Sequence, residues 1–214
     1  MKTLIFCAGA ANPDFSLLAQ NKPALLVGVD AGAARLAAAG WMPDWAVGDF
    51  DSAPPPQACP NILRLPAAKN DTDLEAALLH LLPRYPLDEI EKIVILGALG
   101  AGRLDHLLCN VGLGVQPRFA AWREKFYFAE QGQSLRFLNA GNHRIRREAG
   151  KPYLSFIGLT PLADVHLQGV RYPLTGADYA YPPALISNEF LADEMTCRFR
   201  AGVLALIQSA DVPK

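Results

Sequence analysis

Short apolar runs separated by helix-like segments open the chain. Leu4 to Cys7, Leu25 to Val29, Ile62 to Leu65 and Ile93 to Leu96 are bounded by turn-forming residues and have the length of sheet strands. Between them the period changes. Leu74, Ala77, Leu78, Leu81 and Leu82 recur at helical spacing until Pro83, which has no amide hydrogen to continue a helix. Thr72 and Glu75 stand three apart at the start of that run, the arrangement in which a hydroxyl and a carboxylate satisfy each other's first-turn amides. Strands alternating with helices predict a parallel sheet with crossover helices as far as about residue 130. Beyond it the texture differs. Tyr153 to Ile157, Val165 to Leu167 and Met195 to Phe199 are separated by Gly, Pro and Asn turns, which predicts antiparallel strands. Arg200, Ala201 and Gly202 are expected to turn Thr196 to Phe199 back into Val203 to Ile207 as a hairpin. The expected fold class is α/β, with an α/β domain over residues 1–130 and an antiparallel domain over 131–214.

Composition narrows the function without choosing it. The 214 residues are 51% hydrophobic and 19% charged, ordinary for a globular chain with a packed core. Twenty basic and twenty-one acidic side chains leave a formal charge of -1, so no overall field draws in nucleic acid or an anionic membrane. Any anionic ligand must be held locally. Cys7, Cys59, Cys109 and Cys197 form no CxxC pair, which fits reduced thiols in a cytoplasmic setting. The opening MKTLIFCAGA has the parts of a secretory signal, but its apolar run is short and reads equally as a buried first strand. No stretch approaches the roughly 20 apolar residues that cross a bilayer.

Candidate chemistry is concentrated in the first half. In Gly48-Asp49-Phe50-Asp51-Ser52, an extended backbone would put Asp49 and Asp51 on one face and turn Phe50 into the core. Two carboxylates that close suit a magnesium ion, although a solvated turn explains them as well. Asp71 and Asp73 begin the capped helix, where they either complement its dipole or join a site. Asp30 follows the strand Leu25 to Val29, and ligands of open α/β sheets bind at such strand ends. After the strand Ile93 to Leu96 comes GALGAGRLDH, in which Gly100 and Gly102 allow close backbone approach to a phosphate and Arg103 offers a forked cation. Asp105 and His106 lie beside it. The segment is neither a P-loop nor a dinucleotide fingerprint, and a tight strand-to-helix turn is its plain alternative. His80, His143 and His166 have no metal-ligand spacing and are expected to be structural or surface residues. No GxSxG elbow is present.

DAGAARLAAAG at 30–40, PDWAVGDFDS at 43–52, NDTD at 70–73, GALGAGRLDH at 97–106 and ISNE at 186–189 together resemble the thiamine pyrophosphokinase family, in the family's order and across almost the whole chain. The resemblance implies an ATP-binding α/β domain followed by a β-sandwich that binds thiamine. It also implies a homodimer with sites at the subunit interface, and transfer of pyrophosphate from ATP to thiamine with Mg2+. Asp49, Asp51 and Asp73 match metal-coordinating positions. Asp30, Asp73, Arg103 and Asp105 match positions around the reacting phosphates, with Asp71, Gly100, Gly102, Arg103 and His106 on the nucleotide side. Tyr172, Ser187 and Asn188 match the thiamine side, where an aromatic face suits a flat cation. Two departures stand out: Asn70 occupies a place that is often aspartate, and Ala98 and Ala101 occupy places that are often glycine. The expected partners are ATP and thiamine, with no nucleic acid and no membrane. A pyrophosphokinase for another alcohol such as a pterin, a non-catalytic nucleotide or thiamine sensor, and a metal phosphatase are the alternatives.

Overall fold

The computed structural model describes residues 1–10, 13–20, 22–99 and 103–211. The chain divides into two compact units, one of residues 1–111 with 125–131 and the other of residues 112–124 with 132–214.

The first unit is built on six strands: β1 (Lys2–Cys7), β2 (Leu25–Val29), β3 (Trp45–Gly48), β4 (Asn61–Arg64), β5 (Ile90–Leu96) and β6 (Phe126–Glu130). Every pairing among them is parallel, in the spatial order β6-β5-β1-β2-β3-β4. Residues 4–7 of β1 and 93–96 of β5 are apolar and buried on successive positions because both faces of the sheet are covered there. Ile5 and Cys7 join Leu26, Leu36, Val94 and Leu96 in one cluster, while Leu4 and Phe6 point to the opposite face and are just as buried. Helix α1 (Ser16–Gln20) supplies Leu18 to that cluster, and α2 (Ala31–Ala38) supplies Leu36. Helix α3 (Asp73–Leu81) buries Leu74, Ala77, Leu78 and Leu81 and packs against β2 and β3. Its capping box is present: the Glu75 amide donates to the Thr72 hydroxyl at 3.2 Å and the Thr72 amide donates to Glu75 Oε2 at 2.8 Å. Pro83 ends the regular helix, and Leu82–Arg84 tightens into a 3-10 turn. Helix α4 (Leu104–Gly112) follows β5 and buries no residue.

The second unit contains β7 (Gln133–Arg146), β8 (Tyr153–Gly158), β9 (Leu162–Gln168), β10 (Leu174–Tyr179), β11 (Ala184–Glu189) and β12 (Glu194–Ser209), all antiparallel to their neighbours. The expected hairpin at 200–202 is not formed. β12 runs on as one strand, paired along its length with β7, and the register shifts between Phe199 and Val203. Gly202 has φ +104, and a Cβ there would lie 2.3 Å from the Pro161 oxygen. The glycine serves a bulge, in which the strand bends without reversing. On its other side β12 pairs β9 before the bulge and β8 after it, so the strand changes partners and the sheet divides into two leaves. Phe156 from β8, Leu167 from β9, and Phe199 and Leu206 from β12 meet in the core between the leaves.

Candidate active site

Strand order sets the position of the cleft. β1 lies between β2 and β5, so chain connections run outward in opposite directions on its two sides and leave a crevice at the carboxyl ends of the strands. A cleft of about 850 Å³ lies there, lined by Gly9 after β1, Asp30 after β2, Gly97 after β5, and Lys69, Asp73 and Arg103. It is large enough for a drug-sized ligand.

Three carboxylates meet at Asp30, which lines the cleft; Asp49 and Asp51 reach it from outside the cleft lining. Oxygen atoms of Asp30, Asp49 and Asp51 lie within 4.8 Å of one another. The expected reason for the approach of Asp49 and Asp51 is corrected, because β3 stops at Gly48 and Phe50 adopts a left-handed φ of 59°. A turn gathers them, where the sequence suggested alternation along a strand. Phe50 is half-buried against Ala33, Ala46 and Cys59. Gly48 permits the assembly, since a Cβ there would come within 3.0 Å of the Asp30 Cα. Asp30 stands at the start of α2 with φ 47° and ψ -125°, yet its side chain makes no capping bond. Its Oδ1 is buried without a hydrogen-bond partner. A residue held in such a conformation costs on the order of 1–3 kcal/mol and persists at functional sites. An all-oxygen donor set with an unsatisfied buried oxygen fits a hard divalent cation such as Mg2+.

Asp73 connects to this group through Lys69. The Lys69 ammonium is 3.0 Å from Asp49 Oδ2 and 3.2 Å from Asp73 Oδ1. The two carboxylates share one cation but respond oppositely. The Lys69 hydrogen bond holds Asp49 below its ordinary pKa, whereas burial pushes Asp73 up despite the same ammonium. Asp73 Oδ1 also lies outside hydrogen-bonding geometry, so its pairing is electrostatic. Asp71 lines the same cleft, as does Arg35 from α2, a cation not singled out from the sequence.

On the far side, Arg103 and Asp105 form an exposed ion pair at the start of α4, with Arg103 Nε donating to Asp105 Oδ1 at 3.2 Å. The hydrogen bond raises the arginine's pKa and lowers the aspartate's. Arg103 and His106 line the cleft; Asp105 does not. Gly100 and Gly102 lie outside the described residues. The start of the loop after β5 is held twice: Asn110 Nδ2 donates to the Ala98 oxygen at 2.8 Å, and the Leu99 amide donates to Glu130 Oε2 at 3.4 Å. Glu130 is buried, and desolvation raises its pKa against the pull of those loop amides. Glu130 and the bridging place of Lys69 escaped sequence reading. The i,i+4 spacing of Lys69 and Asp73 hinted at the second, but nothing near Glu130 pointed 31 residues back.

In the second unit, Asn188 is buried and acts on Tyr172. Its Oδ1 accepts from the Tyr172 amide at 3.0 Å and its Nδ2 donates to the Tyr172 oxygen at 2.9 Å. The Tyr172 side chain is left exposed, with the Arg171 guanidinium 5.5 Å from its ring centre. Ser187 is exposed and has φ 57°. The remaining histidines are engaged within the fold. His80 packs edge-on against Trp45, His143 lies within hydrogen-bonding distance of the Asn139 oxygen at 2.8 Å, and His166 within 2.7 Å of Asp164.

Residues 16–123 match the family described as thiamin pyrophosphokinase, catalytic domain, and residues 142–204 match its vitamin B1 binding domain. A thiamine pyrophosphokinase of Bacillus subtilis is 32% identical over 99% of this chain and 100% of its own length. The chain belongs to the thiamine pyrophosphokinase family. A solved thiamin pyrophosphokinase family protein of Enterococcus faecalis superposes with a TM-score of 0.89 at 32% identity, covering 98% of this chain and 100% of that one. The thiamin pyrophosphokinase of Candida albicans shares the fold at 16% identity, with a TM-score of 0.75 over 97% of this chain and 90% of that one. Within the thiamine pyrophosphokinase match, the catalytic-domain stretch contains all the acidic residues of the cleft, and the vitamin B1 stretch contains Tyr172, Ser187 and Asn188.

Proposed function

We propose that this chain transfers the terminal pyrophosphoryl group of ATP to the hydroxyl of thiamine, giving thiamine diphosphate and AMP. The thiamine oxygen bonds to the β-phosphorus, the bond from that phosphorus to the oxygen shared with the α-phosphate breaks, and AMP leaves. The observation that carries the reading is the meeting of Asp49 and Asp51 with Asp30, which lines a cleft whose walls also carry Arg103, Lys69 and Arg35. Cations and carboxylates around one cavity suit a metal-bound polyphosphate, and membership of the family supplies the acceptor.

Asp30, Asp49 and Asp51 would hold Mg2+, with Asp73 next to them. The ion, when bound, neutralises polyphosphate charge. The chain's own groups do the rest. Arg103 offsets charge on the transferred group once it exchanges Asp105 for phosphate oxygens. A carboxylate beside the reacting phosphates takes the hydroxyl proton; Asp73 lines the cleft and Asp105 does not, so the proton is assigned to Asp73. Asn188 fixes the Tyr172 backbone, leaving the ring free to lie against thiamine. The same reading makes the first unit the ATP-binding domain and the second the thiamine-binding domain. It also makes the working form a cytoplasmic homodimer, which light scattering tests.

Incubation with Mg-ATP and thiamine decides the reaction. AMP appearing in step with thiamine diphosphate is the expected result. ADP would mean transfer of one phosphoryl group, and binding without turnover would make the protein a sensor.

A further inference from the structure

Lys69 stands between the two parts of the acidic group. Its side chain is 15% exposed, and its ammonium reaches Asp49 and Asp73 at once. The ammonium donates a hydrogen bond to Asp49 Oδ2 and stands 3.2 Å from Asp73 Oδ1, so both carboxylates face the same cation. Asp49 is also one of the three aspartates whose oxygens approach within 4.8 Å. A divalent ion gathering that trio must therefore bind a carboxylate that an ammonium already occupies.

We propose that Lys69 is a positioning residue, an internal counter-cation that holds Asp49 and Asp73 in the free protein and is released toward the polyphosphate when metal and nucleotide bind. The inference rests on the reading that the cluster binds a divalent ion beside a polyphosphate. A cation within hydrogen-bonding distance of a metal ligand weakens bare-metal binding. That cost is recovered once phosphate oxygens accept the released ammonium, which lies on the wall of the same cleft. Lys69 thereby makes the site prefer a metal-nucleotide complex to the metal alone, and keeps the carboxylates from repelling each other while the cleft is free.

Calorimetric titration of Mn2+ into nucleotide-free protein tests this on the wild type, Lys69→Met and Lys69→Arg. Lys69→Met should bind Mn2+ at least about tenfold more tightly than wild type, the order of one adjacent charge. Lys69→Arg should resemble wild type. With Mg2+ and α,β-methylene-ATP the order should reverse, Lys69→Met binding at least about tenfold more weakly. Equal or weaker Mn2+ binding by Lys69→Met, with wild type binding normally, overturns the role of Lys69 and leaves the proposed reaction standing. Absence of divalent binding in every variant overturns the cluster reading together with it. On wild type alone, reductive methylation followed by mass spectrometry should modify Lys69 faster with Mn2+ than with chelator; an unchanged or slower rate refutes its release.

Discussion

Asp51 is exposed, and a hydrogen bond from the Ser52 hydroxyl at 2.9 Å ties it to its chain neighbour, so its loss should not disturb the core. Asp51→Asn is expected to lower Mg2+-supported turnover by at least ~10²-fold. Stability should stay within about 0.5 kcal/mol by denaturant melts, as for a surface change; near wild-type turnover would remove Asp51 from the metal site. Glu130 gives a pH dependence of definite sign. Desolvation raises its folded pKa above the unfolded value, so the folded state binds that proton more tightly. Its stabilising contribution is complete below the ordinary glutamate value and is lost as pH climbs through the raised one. Melting temperatures of wild type should therefore fall relative to Glu130→Gln as pH rises from about 4 toward neutrality. A constant difference between the two proteins would show that the carboxyl does not titrate abnormally. The acids at 30, 49, 51 and 73 were legible as candidates because carboxylates clustered after strands are unusual; Glu130 was not, since it is one acid at the end of an apolar strand.

Among elements, α3 shows how local sequence can place a functional group. The Thr72–Glu75 box fixes the first turn, and Asp73 is the first residue of that turn. Thr72→Ala should cost about 1 kcal/mol of stability, as loss of a helix cap does. It should also weaken Mg-ATP binding, by letting Asp73 drift from Lys69. Calorimetry that finds the stability loss with unaltered nucleotide affinity would confine the cap to a folding role. The helix could be read from the sequence because both its period and its cap lie within ten residues. β12 could not be read in the same way. A glycine between two apolar runs signals a hairpin or a bulge equally, and pairing with β7, more than fifty residues earlier, selected the bulge.

The whole molecule ties the two halves of the sequence to one proposed activity, and its stability should report ligand occupancy. If the cleft takes Mg-ATP, a ligand concentration of 100 times Kd should add about 2.7 kcal/mol to the folded state. Chelation with EDTA should remove most of that gain in a thermal melt with ATP retained. A gain that survives chelation would mean nucleotide binding without the acid cluster. By itself the sequence determined that strands and crossover helices come first and antiparallel strands follow, because those periods are short-range and repeat within each segment. It also determined that the carboxylates stand next to strand ends and turns. Only the tertiary structure decided that Asp30, Asp49 and Asp51 share one point, that Lys69 bridges two acids, and that Asn188 serves the backbone of Tyr172. Those facts depend on strand order and on backbone conformations such as the positive φ of Asp30 and Phe50. Such conformations carry strain that local preference opposes, and the surrounding packing is what holds them.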